Sequence, residues 1–258
     1  MKRFIMLKSK RAVITGGSEG IGLGIAKIFI ANDAKVTIIG RSAEKLKLAK
    51  EHLGGENVFT IQADLSSIEE TKRVAKEILR YWDSVDILVN NAAVVKFKKI
   101  EEITDEERKA AMSLNIDSPF VLTQALLPAL KKVKGNIINM SSYFADKSLP
   151  NRPASIYAMS KGAIDSMTKS LAYELGSSGI RVNAIAPGTT HTPLVENALS
   201  AMTEEVRDNF LKSVPTLYPL GRLGEVEDIS SLALFLASSQ AKWITGAIIH
   251  ADGGLTTG

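Results

Sequence analysis

A chain of 258 residues that is 45% hydrophobic and 23% charged has enough apolar material to bury a full core in one large α/β domain, and nothing in its composition suggests disorder. It holds no cysteine, which excludes disulfides and thiolate metal sites and makes a reducing cytoplasm the expected location. The net charge of +4 arises from Lys and Arg interleaved with Asp and Glu, the pattern of a solvated surface and not of a nucleic-acid patch.

Met1 to Lys8 sets basic residues around four apolar ones, too few for a signal-peptide core or a membrane span, and is expected to lead into the first strand. That strand, Ala12 to Thr15, stops at the glycine-dense turn Gly16-Gly17-Ser18-Glu19-Gly20-Ile21-Gly22. A helical pattern with Ile21, Ile25, Ile28 and Phe29 on one side begins at once. Bare glycines let a ligand approach the main chain, and the free N–H groups and positive dipole end of the helix suit a diphosphate. The spacing is G-x-x-x-G-x-G, so the commoner dinucleotide fingerprint G-x-G-x-x-G is not met.

Lys35 to Gly40 reads as the second strand, Ala43 to Leu53 as a charged helix closed by Gly54-Gly55, and Val58 to Gln62 as the third strand. Ser67-Ile68-Glu69-Glu70 has the form of a capping box and opens a helix to about Trp82. Asp86 to Val89 is the fourth strand, ending in Asn90-Asn91-Ala92-Ala93. A second capping box, Thr104-Asp105-Glu106-Glu107, starts a long helical region towards Lys132, with bends expected at Pro119 and Pro128. Gly135 to Met140 is the fifth strand, Ile156 to Leu175 a mostly apolar helix, and Arg181 to Ala186 a sixth strand ending in Pro187-Gly188. Glu225 to Ala237 is a helix and Ala247 to Ala251 the last strand. Strands and helices alternate without an internal repeat, which predicts one parallel sheet covered by helices on both faces. In such sheets ligands bind at the carboxyl ends of the strands, near the switch point.

Tyr-x-x-x-Lys occurs twice. Tyr143 to Lys147 runs into Pro150-Asn151-Arg152-Pro153, which is loop chemistry, whereas Tyr157 and Lys161 share one face of a continuous helix. With Thr15-Gly16-x-x-x-Gly20-Ile21-Gly22, Asn90-Asn91-Ala92, Ser142 with Tyr157-x-x-x-Lys161, and Pro187-Gly188 in this order, the sequence closely resembles the short-chain dehydrogenase/reductases over nearly its whole length. The tail from Ile244-Thr245-Gly246 to Asp252-Gly253-Gly254 is similar as well. The resemblance implies a single-domain Rossmann fold with a seven-stranded parallel sheet, a nicotinamide cofactor, and interconversion of an alcohol and a carbonyl by hydride transfer.

Such chemistry needs a proton donor for the carbonyl oxygen, or a base in the reverse direction. A free tyrosine, with a pKa of about 10, is a weak base near neutrality. The Lys161 ammonium, one turn away, is expected to favour the phenolate of Tyr157 and lower that pKa. By resemblance Lys161 also bonds the nicotinamide ribose, Ser142 holds the substrate oxygen with Ser141 structural, and Asn115 holds a water of the proton relay. The bland alternative for Asn115 is a helix asparagine satisfying backbone groups.

The cofactor-binding set that the resemblance implies is Gly16, Ser18, Glu19, Gly20, Ile21 and Gly22 at the first turn, Arg41 and Ser42 after the second strand, and Asp64 and Leu65 after the third. Asn91, Ala92 and Ala93, then Tyr157 and Lys161, then Pro187, Gly188, Thr190 and Thr192 complete it. Asp64 resembles the residue that bonds the adenine. An NAD-type site places an acidic residue after the second strand, but here Gly40 takes that place and Arg41 follows, a guanidinium suited to a 2′-phosphate. Glu19 argues the other way, because a carboxylate near a phosphate repels it. NADP(H) is favoured over NAD(H).

Fourteen residues separate Ser142 from Tyr157, and Tyr143 to Ser155 is expected to shape the pocket wall. Thr189 to Gly221, with Pro193, Pro215, Pro219 and a short helix near Glu204 to Lys212, is the expected lid. Met202, Phe210 and Leu217 are read as core contacts of that helix in preference to pocket residues. His52, His191 and His250 show no ligand spacing, so no metal is expected. The expected function is oxidation or reduction of a secondary alcohol or ketone, with 3-oxoacyl thioesters first and sugars or polyols second as substrates. The rival of another class is a catalytically silent nucleotide-binding regulator. Neither nucleic acid nor membrane is an expected partner. The family implies a homotetramer, and the helices near Glu106 to Lys132 and Ile156 to Leu175 carry apolar residues on more than one face, as an oligomer needs.

Overall fold

The computed structural model describes residues 5–150 and 152–258; Met1 to Phe4 of the expected lead-in, and Asn151 of the loop before Tyr157, lie outside the described residues. Ahead of the first strand the chain turns, held by the Leu7 N–H on the Asn32 carbonyl (3.2 Å), and Leu7 is buried.

The described strands are β1 (Arg11–Thr15), β2 (Lys35–Gly40), β3 (Val58–Gln62), β4 (Ile87–Asn90), β5 (Asn136–Met140), β6 (Arg181–Pro187) and β7 (Ile248–Ala251). They form one parallel seven-stranded sheet in the order β3-β2-β1-β4-β5-β6-β7. The chain works outward from β1 to β3, returns beside β1, and then works the other way. A crevice therefore opens at the carboxyl ends of β1 and β4, where the direction switches. The helices are α1 (Gly20–Ile30), α2 (Ala43–His52), α3 (Ile68–Tyr81), α4 (Asp105–Met112), α5 (Ser118–Lys132), α6 (Ser155–Gly176), α7 (Pro193–Ser200), α8 (Glu204–Leu217) and α9 (Val226–Ala237).

Side chains alternate across each strand, and here both faces are apolar because both are covered. Ala12 and Ile14 of β1 enter one core with Ile25 and Phe29 of α1 and Ile229 and Leu236 of α9. Val13, between them, enters the other with Val74 and Ile78 of α3, Leu122 and Leu126 of α5, and Leu175 of α6. Each such aliphatic side chain, fully buried, contributes about 1.5–3 kcal/mol. A third cluster joins Tyr143, Phe144 and Leu149 after β5 to Val214 of α8, to Tyr218 just past its end and to Leu255. The result is a single-domain Rossmann fold.

Element ends differ from the expected ones by a residue or two, and some differences have visible causes. Asp86 stands at the edge of β4: its backbone still bonds Arg11 (2.9 Å) and Asn136 (2.8 Å), and its carboxylate takes Lys10 (2.8 Å) and the Arg11 N–H (3.0 Å). Thr104 and Glu107 form the full capping box, whereas Ser67 accepts from the Glu70 N–H (3.3 Å) while the Glu70 carboxylate goes to Arg73. The long region to Lys132 is two helices joined by a π-helical turn, Ser113–Asp117, in which the Ser118 N–H reaches back to the Ser113 carbonyl. Pro119, one of the two expected bends, has no N–H to continue the α ladder and sits in the first turn of α5. Pro128 stands inside α5, which continues through it. The lid has more helix than expected: α8 runs on to Leu217, and α7 precedes it, opened by Thr192 accepting from the Val195 N–H (3.4 Å) and by Pro193 in the first turn.

Candidate active site

The glycine turn after β1 is closed from behind by Asn91, whose side-chain N–H group donates to the carbonyls of Thr15 (2.9 Å) and Gly16 (3.2 Å). Gly16 has φ +64°, a left-handed angle that favours glycine, and a Cβ on Gly22 would lie 2.2 Å from the Gly16 carbonyl oxygen. The start of α1 is thus pressed onto the end of β1. Glu19 precedes α1 without capping it; its carboxylate instead pairs with Lys45 of α2 at 2.7 Å. Main-chain amides free of a side-chain cap, at the positive end of a helix and with no Cβ in the way, fit the diphosphate of a dinucleotide.

From this turn a cleft of about 870 Å³ runs along the carboxyl ends of the strands to Ser142 and Tyr157. That volume lies within the usual range for a bound small molecule. At the far side of the turn lie Ser18, Arg41, Ser42, Leu65 and also Lys45, which sequence reasoning missed. The signal for Lys45 was its place three residues after the helix-capping Ser42, whose hydroxyl accepts the Lys45 N–H at 3.2 Å. Gly16, Glu19, Gly20, Ile21, Asn91, Ala92, Ala93, Pro187, Gly188, Thr190 and Thr192 line the middle of the cleft, and Lys161 stands beside Tyr157.

Three expected site residues do not line the cleft. Gly22 serves packing, for the reason above. The Asp64 carboxylate turns to its own loop, accepting from the Ser66 N–H (3.0 Å) and hydroxyl (2.8 Å). These bonds, with Arg41 adding to them, hold it below the usual carboxylate range. Asn115, in the π-helical turn and buried, stands behind the wall. Its oxygen accepts from the Val94 N–H (2.9 Å), and its N–H group donates to the Val94 carbonyl (3.0 Å) and Ser160 (3.0 Å). Its side-chain amide is thus held by the backbone of Val94 and the hydroxyl of Ser160.

The expected depression of the Tyr157 pKa is reversed in this structure. Burial pushes the phenol up to about 12, against a hydrogen bond from Ser142 that works the other way. Burial also pushes Lys161 down to about 8, opposed by the Asp165 carboxylate. The Lys161 ammonium lies 5.5 Å from the centre of the Tyr157 ring and donates to the Met140 carbonyl at 2.6 Å. Desolvation is therefore the largest influence on both groups. The side chains of the other Tyr-x-x-x-Lys pair have other partners: Lys147 donates to the Leu255 carbonyl (2.8 Å), and the Tyr143 oxygen accepts from Arg152 (3.3 Å).

Beyond Tyr157 the wall is apolar, built from Val94, Val95, Phe97, Phe144, Leu194 and Leu199. Met202 joins this lining, which corrects its reading as a core residue; Phe210 and Leu217 do pack against the third core cluster. Arg152 and Tyr143, from the loop expected to shape the wall, line it too. Among the described residues no group of three or more His, Asp or Glu is gathered as for a metal ion, and no helix is long and apolar enough to cross a membrane.

Residues 16–256 match the family described as enoyl-(acyl carrier protein) reductase. The chain is 34% identical over 254 residues to the 3-oxoacyl-(acyl-carrier-protein) reductase FabG of Chlamydia muridarum, covering 97% of this chain and 98% of that protein. It is 37% identical over 257 residues to a 3alpha-hydroxysteroid dehydrogenase of Mediterraneibacter gnavus, with 97% and 98% covered. The crystal structure of a short-chain type dehydrogenase/reductase from Mycobacterium marinum superposes with a TM-score of 0.88 at 29% identity, covering 98% of each chain. Likeness along the full length of each of these oxidoreductases, joined to a glycine turn and a Tyr157–Lys161 pair facing one cleft, places the chain in the short-chain dehydrogenase/reductase family, enzymes that oxidise and reduce CH–OH groups with NAD(P).

Proposed function

We propose that the chain reduces 3-oxoacyl thioester-type substrates with NADP(H). The observation that carries this is the apolar wall beyond Tyr157, which suits an acyl chain. A sugar in that place would leave its hydroxyls without partners, and each buried unpaired polar group costs about 1–3 kcal/mol. NADP(H) is supported by Arg41 at the end of β2 and by Lys45, whose ion pair with Glu19 offsets the carboxylate that argued against a phosphate.

Bound at the glycine turn, the nicotinamide cofactor supplies or accepts the hydride. Tyr157, protonated throughout the neutral range, holds a proton at its phenol oxygen for the carbonyl oxygen, which suits the direction of reduction. Ser142 orients that oxygen. Lys161 keeps its position through the Met140 carbonyl, and Asn115 acts through Val94 and Ser160 as a positioning residue. Tyr143, Phe144 and the stretch from Thr189 to Gly221 exclude water from the reacting atoms. Phe120, Met159 and Tyr173 leave apolar surface exposed on α5 and α6, in keeping with a homotetramer in a cytoplasmic setting.

The test is a panel of 3-oxoacyl thioesters and of sugars or polyols with both cofactors, followed by cofactor absorbance. Thioester reduction with NADPH, at a kcat/KM about tenfold or more above any sugar, is the expected result. Sugar turnover alone would replace the substrate. Cofactor binding without turnover of any member would favour the silent regulator.

A further inference from the structure

The reductase reading leaves one charged group of the cleft without a task. Among the described lining residues, Glu19, Arg41 and Lys45 belong to the cofactor end and Lys161 to the reacting centre; Arg152 is the remaining ionic side chain, and no acidic one accompanies it at the substrate end. No described carboxylate pairs with Arg152. Its Nη1 donates to the phenol oxygen of Tyr143 at 3.3 Å, and its guanidinium lies 4.4 Å over the ring centre of Phe210 on α8. Stacking on an aromatic face holds a guanidinium extended and leaves its edge N–H groups to bind in plane.

Tyr143 completes the arrangement. It is buried, and its oxygen accepts from Arg152 and from the Thr189 hydroxyl, whose own oxygen accepts from Tyr218, so the Tyr143 O–H remains to donate. Burial also keeps that proton on the phenol. The residue directly follows Ser142, its ring stacks on Phe144 at 4.2 Å, and Phe144 stands edge-on to Tyr157 at 5.8 Å. A cation and a neutral donor thus converge beside the reacting centre, on an otherwise apolar wall. Such a pair binds an oxyanion, and the apolar surroundings strengthen the contact.

We propose that Arg152 and Tyr143 form an oxyanion subsite, and that the substrate is a ketone with an apolar body carrying a negatively charged oxygen group. Two sources share this chemistry: the free carboxylate of an oxo acid, or the phosphate of a carrier thioester. The inference rests on the reductase reading: a carrier phosphate narrows its thioester substrate, whereas a free carboxylate replaces the thioester by the oxo acid itself.

Two matched pairs of ketones test it: a 3-oxo acid against its methyl ester, and a 3-oxoacyl phosphopantetheine against the dephosphorylated pantetheine thioester. The wild type is expected to prefer the anionic member of one pair by about tenfold or more in kcat/KM, and the pair concerned identifies the source. Arg152→Gln should bring that ratio to within about threefold of unity, chiefly through KM, while Arg152→Lys retains part of it. Tyr143→Phe, which leaves the charge in place, should lower the ratio less. Thermal unfolding of each variant checks that it folds. Neutral members used as well as anionic ones in both pairs, or a preference that survives Arg152→Gln, would overturn the subsite and leave the reductase standing. No turnover of any of the four with either cofactor would overturn both.

Discussion

Two glycine-to-alanine substitutions, both in helices, should move stability in opposite directions. In Gly22→Ala the new methyl would lie 2.2 Å from the Gly16 carbonyl oxygen and 2.6 Å from the side-chain nitrogen of Asn91. Ordinary contacts are longer by about 1 Å, so the turn must open or α1 must slide away from β1. Overpacking of this kind costs about 1–3 kcal/mol, and losing the Asn91 bonds to Thr15 and Gly16 costs about 1 kcal/mol each. The better helix propensity of alanine returns about 1 kcal/mol, for a net loss of about 2–4 kcal/mol. Gly162, in α6, has nothing within 4 Å of a Cβ, so Gly162→Ala should gain about 0.5–1 kcal/mol. Urea unfolding at constant slope measures both. Cofactor titration of Gly22→Ala should also show weaker binding, because the same turn presents the amides. A Gly22→Ala protein within about 0.5 kcal/mol of the wild type, or no less stable than Gly162→Ala, would refute the close approach of α1 to β1 on which the cofactor site rests.

Replacing Tyr157 by Phe should lower kcat by about 10²-fold or more while leaving the cofactor dissociation constant within about threefold, measured by steady-state kinetics and fluorescence titration. Lys161 makes stability depend on pH. The folded chain releases its proton near pH 8 and the unfolded chain near 10.5, so between these values the unfolded state binds more protons and stability rises with pH. Relative to Lys161→Met, the cofactor-free wild type should gain about 2 kcal/mol between about pH 7 and pH 10, read from urea unfolding. Above about pH 10 the sign reverses for Tyr157, which stays protonated up to about 12 only when folded. Arg41→Ala should reduce the ratio of NADPH to NADH kcat/KM by about tenfold, and an unchanged ratio would remove Arg41 from the recognition of a 2′-phosphate.

The alternation of strands and helices, the glycine turn and the Tyr157–Lys161 face were legible in the sequence because each depends on neighbours within a few residues. Side-chain period, capping residues and bare glycines are local, and parallel sheets put strand ends, with whatever follows them, on one edge. Placement of Ser142, Asn91 and Pro187 followed from that rule. Helix α7 was equally local, signalled by Thr192-Pro193, and was passed over in a stretch read as lid.

Other features depended on groups far apart in the chain. Glu19 reads alone as a carboxylate hostile to phosphate, until Lys45, 26 residues on, pairs with it. Asn115 shows its type in the sequence but not its partners, Val94 at 21 residues' distance and Ser160 at 45. Tyr157 and Lys161 read as a pair that lowers the phenol's pKa, because spacing along a helix reveals charge and proximity. What reverses the shift is desolvation, with Lys161 buried and Tyr157 partly buried at the cleft wall, and that follows from segments far apart in the chain. Spacing is written along the chain, whereas solvation is a property of everything packed around an atom, and only the tertiary structure decides it.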